Sequence, residues 1–158
     1  LAAWFTYAQH GVPNHRDAIA VTLGTALTLT CVSRAGELLG GAIAASPLLA
    51  ARALASGTAA LPEVTLYDES PEIPGPIGAS TESALAAGIL RSARGGLTAL
   101  IEESVAEMER RDPESPAPAI SLTGGAATAG WSAGIRADLR DPDLVVRALL
   151  ALPRSVRT

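Results

Sequence analysis

The residue pair Gly24-Thr25 carries the clearest chemistry in this sequence. It interrupts an uncharged run over residues 18–33 that is rich in Val, Ile, Leu and Thr, which is typical of two strands meeting at a corner. A glycine at that corner lets backbone N–H groups approach a phosphate closely, and the threonine hydroxyl supplies a further donor. The pair therefore indicates a phosphate-binding turn. A short motif of this kind also occurs as an ordinary turn at the end of a strand, and both interpretations stay open.

A second glycine pair, Gly124-Gly125, follows Thr123 and a short apolar stretch over residues 119–122. A strand, a glycine pair and a helix in succession would bring the backbone close to a nucleotide base or ribose. Two adjacent glycines are also the simplest way to build a sharp turn. The sequence therefore allows either a nucleoside-binding segment or a plain turn at this position.

The other reactive side chains form no recognisable catalytic pattern. His10 and His15 are separated by a Gly-Pro break, which favours solvated loop histidines over shared metal ligation. Cys31 is the single cysteine and lies inside a predicted strand, so we expect it to be buried and reduced. Glu102 and Glu103 diverge around a predicted helix and do not form a carboxylate pair.

The elements that would position these groups are three strands followed by alternating helices and strands. Ser46-Pro47 and Ser80 are placed to begin helices, and Gly95-Gly96 either kinks the longer helix or divides it in two. Asp68, Glu69 and Glu72 indicate a solvated acidic loop. In the first part of the chain we predict a helix over residues 1–10 that ends at Gly11, strands over 18–23, 26–33 and 38–44, and a helix over 46–56. A short strand or extended segment over 64–67 and a surface loop over 68–76 follow. In the last part we predict a helix over 81–111, a strand over 119–122 and a helix over 144–152.

Composition limits the class of protein. The 158 residues are 48% hydrophobic and 18% charged, which fits one folded domain and excludes a disordered chain. The net charge of −4 with scattered arginines disfavours nucleic-acid binding. All twelve basic residues are arginine, so no lysine can bind phosphate or act as a base. The sequence shows neither a membrane-length apolar run nor a signal peptide, which predicts a cytoplasmic protein with no membrane partner.

Six short segments, taken in order, resemble the C-terminal half of type III pantothenate kinases, in the actin/hexokinase-type kinase superfamily. Each segment is weak alone, but together they keep the order and the near-constant spacing of the family. Around the first strands, the family motif D-F-G-T-A is similar to Val21-Thr-Leu-Gly-Thr-Ala26, and G-E-x-L-G-G-A-I is similar to Gly36-Glu-Leu-Leu-Gly-Gly-Ala-Ile-Ala44. In the middle of the chain, T-A-x-L-P-x-V is similar to Thr58-Ala-Ala-Leu-Pro-Glu-Val64, and I-G-x-N-T to Ile77-Gly-Ala-Ser-Thr81. Toward the end, T-G-G is similar to Thr123-Gly-Gly125, and P-x-L to Asp141-Pro-Asp-Leu144.

The resemblance implies an α/β fold, namely a ribonuclease-H-like subdomain of the actin-like ATPase type. It would contain a three-stranded antiparallel meander, crossover helices and a further strand, and the alternation of elements supports this independently. The implied reaction is ATP-dependent phosphorylation of pantothenate to 4′-phosphopantothenate, the first step of coenzyme A biosynthesis. The implied cofactors are ATP, magnesium and a potassium or ammonium ion, and the implied assembly is a homodimer through the long helix. The resemblance assigns Gly24 and Thr25 to the phosphates, Gly124 and Gly125 to adenosine, and Thr81 to pantothenate.

The sequence also departs from the family pattern. Thr22 stands where the family has an Asp that helps to hold the monovalent cation, and because a threonine hydroxyl is neutral we expect weak or absent cation activation. The alternative is that Thr22 is a strand residue packed in the core. Ala45-Ser46 replaces a P-G pair, and Ser80 replaces an Asn. The family motifs D-x-G-N-T and G-x-D-R, the second of which holds the catalytic base, do not occur, and neither Asp17 nor Glu37 is assigned that role.

Two functions follow from these features. Because the sequence begins with Leu in a helical pattern, we expect residues 1–158 to be a single domain that forms the ATP-side half of a pantothenate kinase. The missing N-terminal half would come from a lost segment or a separate chain. The alternative is a non-catalytic pantothenate-kinase-like subunit or regulatory protein that has lost phosphoryl transfer.

Overall fold

The computed structural model describes residues 1–66 and 73–151, and shows an α/β chain with a mixed five-stranded sheet. The sheet order is β3-β2-β1-β4-β5. This architecture is compatible with the actin-like ATPase type of fold expected from the sequence. The acidic residues Asp68, Glu69 and Glu72 lie outside the described residues.

The N-terminal helical segment extends further than the sequence indicated. Helix α1 covers Ala2–Thr6, and the chain continues as a π-helical turn over Tyr7–Gly11 and a 3₁₀ turn over Val12–Asn14. The expected stop at Gly11 is therefore wrong, because the proline that follows lies in the first turn of the 3₁₀ segment, where its missing N–H is not needed. The segment ends at His15, whose φ is +50°.

The first three strands are β1 (Ala18–Leu23), β2 (Ala26–Val32) and β3 (Leu38–Ala45). β2 pairs antiparallel with both β1 and β3. β4 (Ala119–Thr123) pairs parallel with β1, and β5 (Leu139–Arg140) pairs parallel with β4. The two-residue β5 was not predicted, since so short a strand leaves no periodic pattern. Of the segment over residues 64–67, expected to be a strand or extended, residues 64–66 have no regular secondary structure, and residue 67 lies outside the described residues.

Three further helices complete the described fold, namely α2 (Pro47–Gly57), α3 (Thr81–Arg111) and α4 (Leu144–Ala151). Ser80 caps α3 as predicted, and Ser83 completes a capping box. Gly95-Gly96 neither divides nor ends α3, which is one uninterrupted helix of 31 residues. In the described part of the chain, no helix is both long and apolar enough to cross a membrane.

Helices cover both faces of the sheet. On one face, side chains of β1, β2 and β4 form the main core with α3, for example Ile19, Leu122 and Ile101. On the opposite face, α1 and α4 pack on alternate strand residues such as Ala20. The sheet is thus fixed from two sides, and the segments that leave its ends are the parts available for binding.

The segment after β4 does not form the helix that the sequence suggested. Residues 124–129 form turns, followed by a short 3₁₀ turn over Gly130–Ser132. The hydroxyl oxygen of Ser132 lies 2.8 Å from the carbonyl oxygens of both Ala126 and Ala129, so its single proton can be donated to either of them. This side chain competes with the backbone ladder that a helix would need.

Candidate functional site

Two glycine-containing segments meet at one edge of the sheet. Because β1 and β4 are parallel neighbours paired to the last residue of β4, the segments that follow them leave at the same edge. Gly24-Thr25 follows β1, and Gly124-Gly125 follows β4. They are in direct contact, since the amide of Ala126 donates to the carbonyl of Leu23 at 3.3 Å.

Gly124 allows the two segments to touch. Its φ of +92° lies in the left-handed region that favours glycine. A Cβ added at this position would lie only 2.7 Å from the carbonyl oxygen of Leu23. Its amide donates to the carbonyl of Pro142 at 3.2 Å. Gly124 therefore serves the packing of the segments, and its N–H group is already used.

A cavity of about 240 Å³, here called the phosphate-side cavity, opens between the two segments. Gly24, Thr25 and Gly125 all line it. A Cβ added at Gly125 would meet no atom within 4 Å, so this residue borders open space. The remaining walls are formed by Leu23, Ser46, Pro47, Leu48, Leu66, Leu90, Ala126 and Trp131.

The lining of the phosphate-side cavity suits a ligand with an anionic end and an apolar end. Helix α2 begins at Pro47 on its wall, so the positive end of the helix dipole favours an anion there. The exposed Thr25 adds a hydroxyl donor. Leu90 and Trp131 offer an apolar wall against which a planar ring can pack. None of the described residues lining this cavity carries an ionisable side chain.

Comparison with known protein families decides where this sequence belongs. Residues 2–104, from α1 to most of α3, match the family model described as type III pantothenate kinase. The chain belongs to the type III pantothenate kinase family.

Individual relatives extend the similarity beyond residue 104. The type III pantothenate kinase of Synechococcus sp. (strain JA-3-3Ab) is 36% identical over 94% of this chain and 57% of its own length. Type III pantothenate kinase 1 of Symbiobacterium thermophilum is 34% identical, over 94% of this chain and 52% of its own length. The chain therefore spans little more than half the length of these relatives.

A solved structure supports the fold. A Campylobacter jejuni protein described as a Baf family transcriptional activator superposes with a TM-score of 0.53 at 19% identity. The match covers 92% of this chain and 59% of the Campylobacter protein. At this identity the likeness concerns the fold alone.

Thr81, the position that the family pattern links to pantothenate, does not line the phosphate-side cavity. It is the first residue of α3 and borders a larger apolar groove of about 840 Å³. This apolar groove lies between α2, α3 and the first strands, with Leu27 and Ala42 among its lining. The two spaces adjoin at the start of α2, because Ala45 lines the groove and Ser46 lines the cavity. The role of Thr81 stays a prediction.

Thr22, the position of the family's cation-binding Asp, is half-buried in β1. It pairs with Thr28 on β2 and with Thr123 on β4. Because side chains alternate along a strand, Thr22 lies on the face opposite to Val21 and Leu23, which belong to the main core. Thr22 itself is outside the buried core and does not line the phosphate-side cavity.

The remaining candidate residues have structural roles. Burial raises the pKa of the Cys31 thiol above its ordinary value, and a hydrogen bond with Ser104 opposes this only in part. The carboxylate of buried Asp17 accepts the amide of Arg34 at 2.6 Å and so secures the turn after β2. Glu37 lies in that same exposed turn. Within residues 1–66 and 73–151, no three His, Cys, Asp or Glu side chains converge in a group that could hold a metal ion.

Sequence reasoning missed the apolar walls of the phosphate-side cavity, which are Leu48, Leu66, Leu90 and Trp131. They come from α2, α3 and two irregular segments, and only the tertiary fold brings them together. Trp131 had a usable signal, since it is one of two tryptophans and follows Gly125 closely. The three leucines had no such signal in the sequence.

Proposed function

We propose that this chain forms the nucleotide side of a pantothenate kinase, which transfers the γ-phosphoryl group of ATP to pantothenate. The observation that carries this proposal is the convergence of Gly24, Thr25 and Gly125 on one cavity beside the start of α2. Family membership favours this activity over the non-catalytic alternative.

Each element of the phosphate-side cavity has a role in this proposal. Phosphoryl transfer depends on positioning and on donors that stabilise the negative charge spread over the phosphate oxygens. Gly24 lacks a Cβ, so its backbone can approach the phosphates, and Thr25 donates its hydroxyl. The positive end of α2 adds to the same field. Gly125 leaves room for the nucleoside, and Trp131 packs against it.

In this proposal the phosphoryl acceptor and the catalytic base lie outside the phosphate-side cavity. We propose that pantothenate lies toward the apolar groove, where Thr81 at the start of α3 would contact it. A base must accept the proton of the attacking hydroxyl, but the carboxylates nearest the phosphate turn in sequence have structural positions. We therefore propose that the base belongs to the portion of the enzyme that corresponds to the remainder of its longer relatives.

Magnesium and the monovalent cation, both implied by the family, differ in how well the residues of this chain suit them. Magnesium in kinases is bound largely by the nucleotide phosphates and supplies charge neutralisation there, so the uncharged lining of the cavity is compatible with its arrival with ATP. For the monovalent cation, Thr22 offers a neutral hydroxyl outside the cavity in place of a carboxylate, so it supplies no charge to balance the ion. No step is assigned to potassium or ammonium.

A homodimer through α3 is part of the same proposal. Four small residues, Ala84, Gly88, Ser92 and Gly96, follow one another at intervals of four along α3 and line the apolar groove. Residues at this spacing lie in a row on one face of a helix. Such a row lets a second helix approach closely, so we propose that α3 of a second copy covers this groove.

Calorimetric titration with ATP tests the nucleotide site. The intact protein should bind ATP with a dissociation constant on the order of micromolar to millimolar, as enzymes bind their substrates. Gly125→Leu should weaken binding by at least about tenfold, because the new side chain fills the space meant for the nucleoside.

The matched control is Gly75→Leu, since Gly75 is exposed in a loop and a Cβ there also meets nothing within 4 Å. This variant should bind ATP like the wild type. Equal affinities for Gly125→Leu and the wild type would show that the phosphate-side cavity does not hold the nucleotide.

A further inference from the structure

The wall of the phosphate-side cavity formed after β4 is an irregular segment. This segment over residues 124–138, here called the base-side loop, supplies Gly125, Ala126 and Trp131 to the cavity. Its regular structure is limited to the 3₁₀ turn over Gly130–Ser132. The position of the wall therefore depends on side chains that hold the loop.

Two residues fix the tip and the end of the base-side loop. Ser132 is fully buried, and its hydroxyl approaches the carbonyls of Ala126 and Ala129. Asp138 returns the chain to the sheet, because its amide donates to the carbonyl of Ile120 at 2.8 Å and its carboxylate accepts the Ile120 amide at 2.9 Å.

Arg140 joins the two arms of the base-side loop. It lies on β5, just after the loop, and its guanidinium donates to the carbonyl of Ala127 at 3.1 Å and to that of Ile135 at 2.5 Å. Ala127 and Ile135 are buried and lie on either side of the 3₁₀ turn. A planar guanidinium can serve two carbonyls at once, which a lysine ammonium on a flexible stem does less well.

Arg94 of α3 supports the same loop from the helix side. Its guanidinium donates to the carbonyl of Ala133. The next residue, Gly134, has a φ of +81°, and a Cβ there would lie 2.4 Å from the Arg94 Nη2 atom. The loop is thus shaped to admit this arginine, while Arg140 remains the residue that bridges its two arms.

We propose that Arg140 is a positioning residue for the nucleoside part of the nucleotide site. This rests on the proposed function. Arg140 does not line the cavity; it acts through Ala127, which adjoins the wall residue Ala126. The phosphate turn has a hydrogen bond of its own, from the Gly24 amide to the Ala26 carbonyl at 3.2 Å, in addition to the contact of Leu23 with the start of the loop, which Arg140 does not touch. Loss of the Arg140 bridge should therefore weaken binding of the nucleoside part and leave binding of the phosphates nearly unchanged.

Binding of ATP and of inorganic tripolyphosphate separates these two parts of the site. In Arg140→Met the affinity for ATP should fall roughly tenfold, the effect expected when charge-assisted hydrogen bonds are removed. The affinity for tripolyphosphate should change less than about twofold. Arg140→Lys keeps the charge but lacks the planar group that can donate to two carbonyls, so its loss of ATP affinity should resemble that of Arg140→Met.

Fluorescence of Trp131 reports on the loop independently of binding. Within residues 1–158, Trp131 is the remaining tryptophan in a Trp4→Phe background. Its emission should shift to the red in Arg140→Met as the loop opens. The control is Arg136→Met, which removes the same charge from an exposed residue of the same loop that makes no hydrogen bond or ion pair among the described residues. This control should change neither emission nor affinity.

Two results would overturn the proposal. One is an equal loss of affinity for ATP and tripolyphosphate in Arg140→Met. The other is unchanged Trp131 emission together with unchanged ATP affinity. If the wild type binds neither ligand, the proposed function fails, and the emission of Arg140→Met against Arg136→Met still decides whether Arg140 holds the loop.

Discussion

At the scale of single residues, the adjacent Gly124 and Gly125 need glycine for different reasons. Gly124 has a positive φ and lies against the backbone of Leu23, so both its conformation and its surroundings exclude a side chain. Gly125 borders open space and has no such restriction. One glycine therefore maintains the fold of the site, whereas the other maintains its volume.

Alanine at each position should separate these roles. Gly124→Ala should lower the free energy of unfolding by about 2 kcal/mol or more, because it adds left-handed strain and a clash with the Leu23 carbonyl. Gly125→Ala should change the free energy of unfolding by less than about 0.5 kcal/mol. Urea unfolding followed by circular dichroism measures both. Equal stabilities of the two variants would contradict the close approach of Gly124 to the Leu23 carbonyl.

Thr22 is predicted to determine whether a monovalent cation takes part. A hydroxyl carries no charge to balance a cation, so ATP binding by the wild type should depend little on potassium. Thr22→Asp, in a protein that also carries the N-terminal family motifs, should create or strengthen that dependence if a cation can lie between the new carboxylate and the phosphates. The measurement is ATP affinity over a potassium titration at constant ionic strength.

The control for this substitution is Thr22→Asn, which has similar size and no charge. It should leave the potassium response of the wild type unchanged. If Thr22→Asp also leaves that response unmoved, the cation argument is wrong and Thr22 is simply a strand residue.

At the scale of elements, α3 carries an apparent weakness at its centre. Gly95-Gly96 would be expected to weaken a helix, yet α3 is continuous, because tertiary packing of residues such as Leu97 and Ile101 holds it against the sheet. Packing therefore outweighs helix propensity here.

Gly95→Ala should stabilise the protein by roughly 0.5–1 kcal/mol, since alanine restores helix propensity and meets no atom within 4 Å of its Cβ. Thermal unfolding provides the measurement. Gly78→Ala should instead destabilise the protein, because a Cβ at Gly78 would lie 2.2 Å from the Ala84 amide nitrogen. A destabilised Gly95→Ala would show that the helix needs the glycine for close packing.

At the scale of the whole molecule, the apolar groove presents a large surface in an isolated copy of this chain. Gly88 faces it from α3 with open space around its Cβ, whereas Gly95 lies on the same helix and does not line it. We expect the intact protein to be a dimer in sedimentation equilibrium. Gly88→Leu should weaken the dimer at least about tenfold by obstructing helix approach, and Gly95→Leu should not. A monomeric wild type, or equal effects of both substitutions, would contradict the dimer proposal.

Much of the fold followed from local patterns. The uncharged run around Gly24 predicted β1 and β2, and the serines at positions 46 and 80 predicted the starts of α2 and α3, because capping and periodicity depend on near neighbours. The pattern of a strand followed by a glycine pair suggested a helix after Gly125, and this segment is irregular instead. Ser132 and Arg140 make hydrogen bonds to carbonyls of this segment, and these partners can be known only from the folded chain.

The sequence by itself determined the family, the order of the elements and the two glycine segments, since these are properties of residues close together along the chain. The tertiary structure alone decided that Gly24, Thr25 and Gly125 share one cavity and that Thr81 lines another. The physical reason is the parallel pairing of β1 with β4, which brings together segments that are distant in sequence. A two-residue β5 and an arginine that bridges two carbonyls leave no periodic trace, so only packing could reveal them.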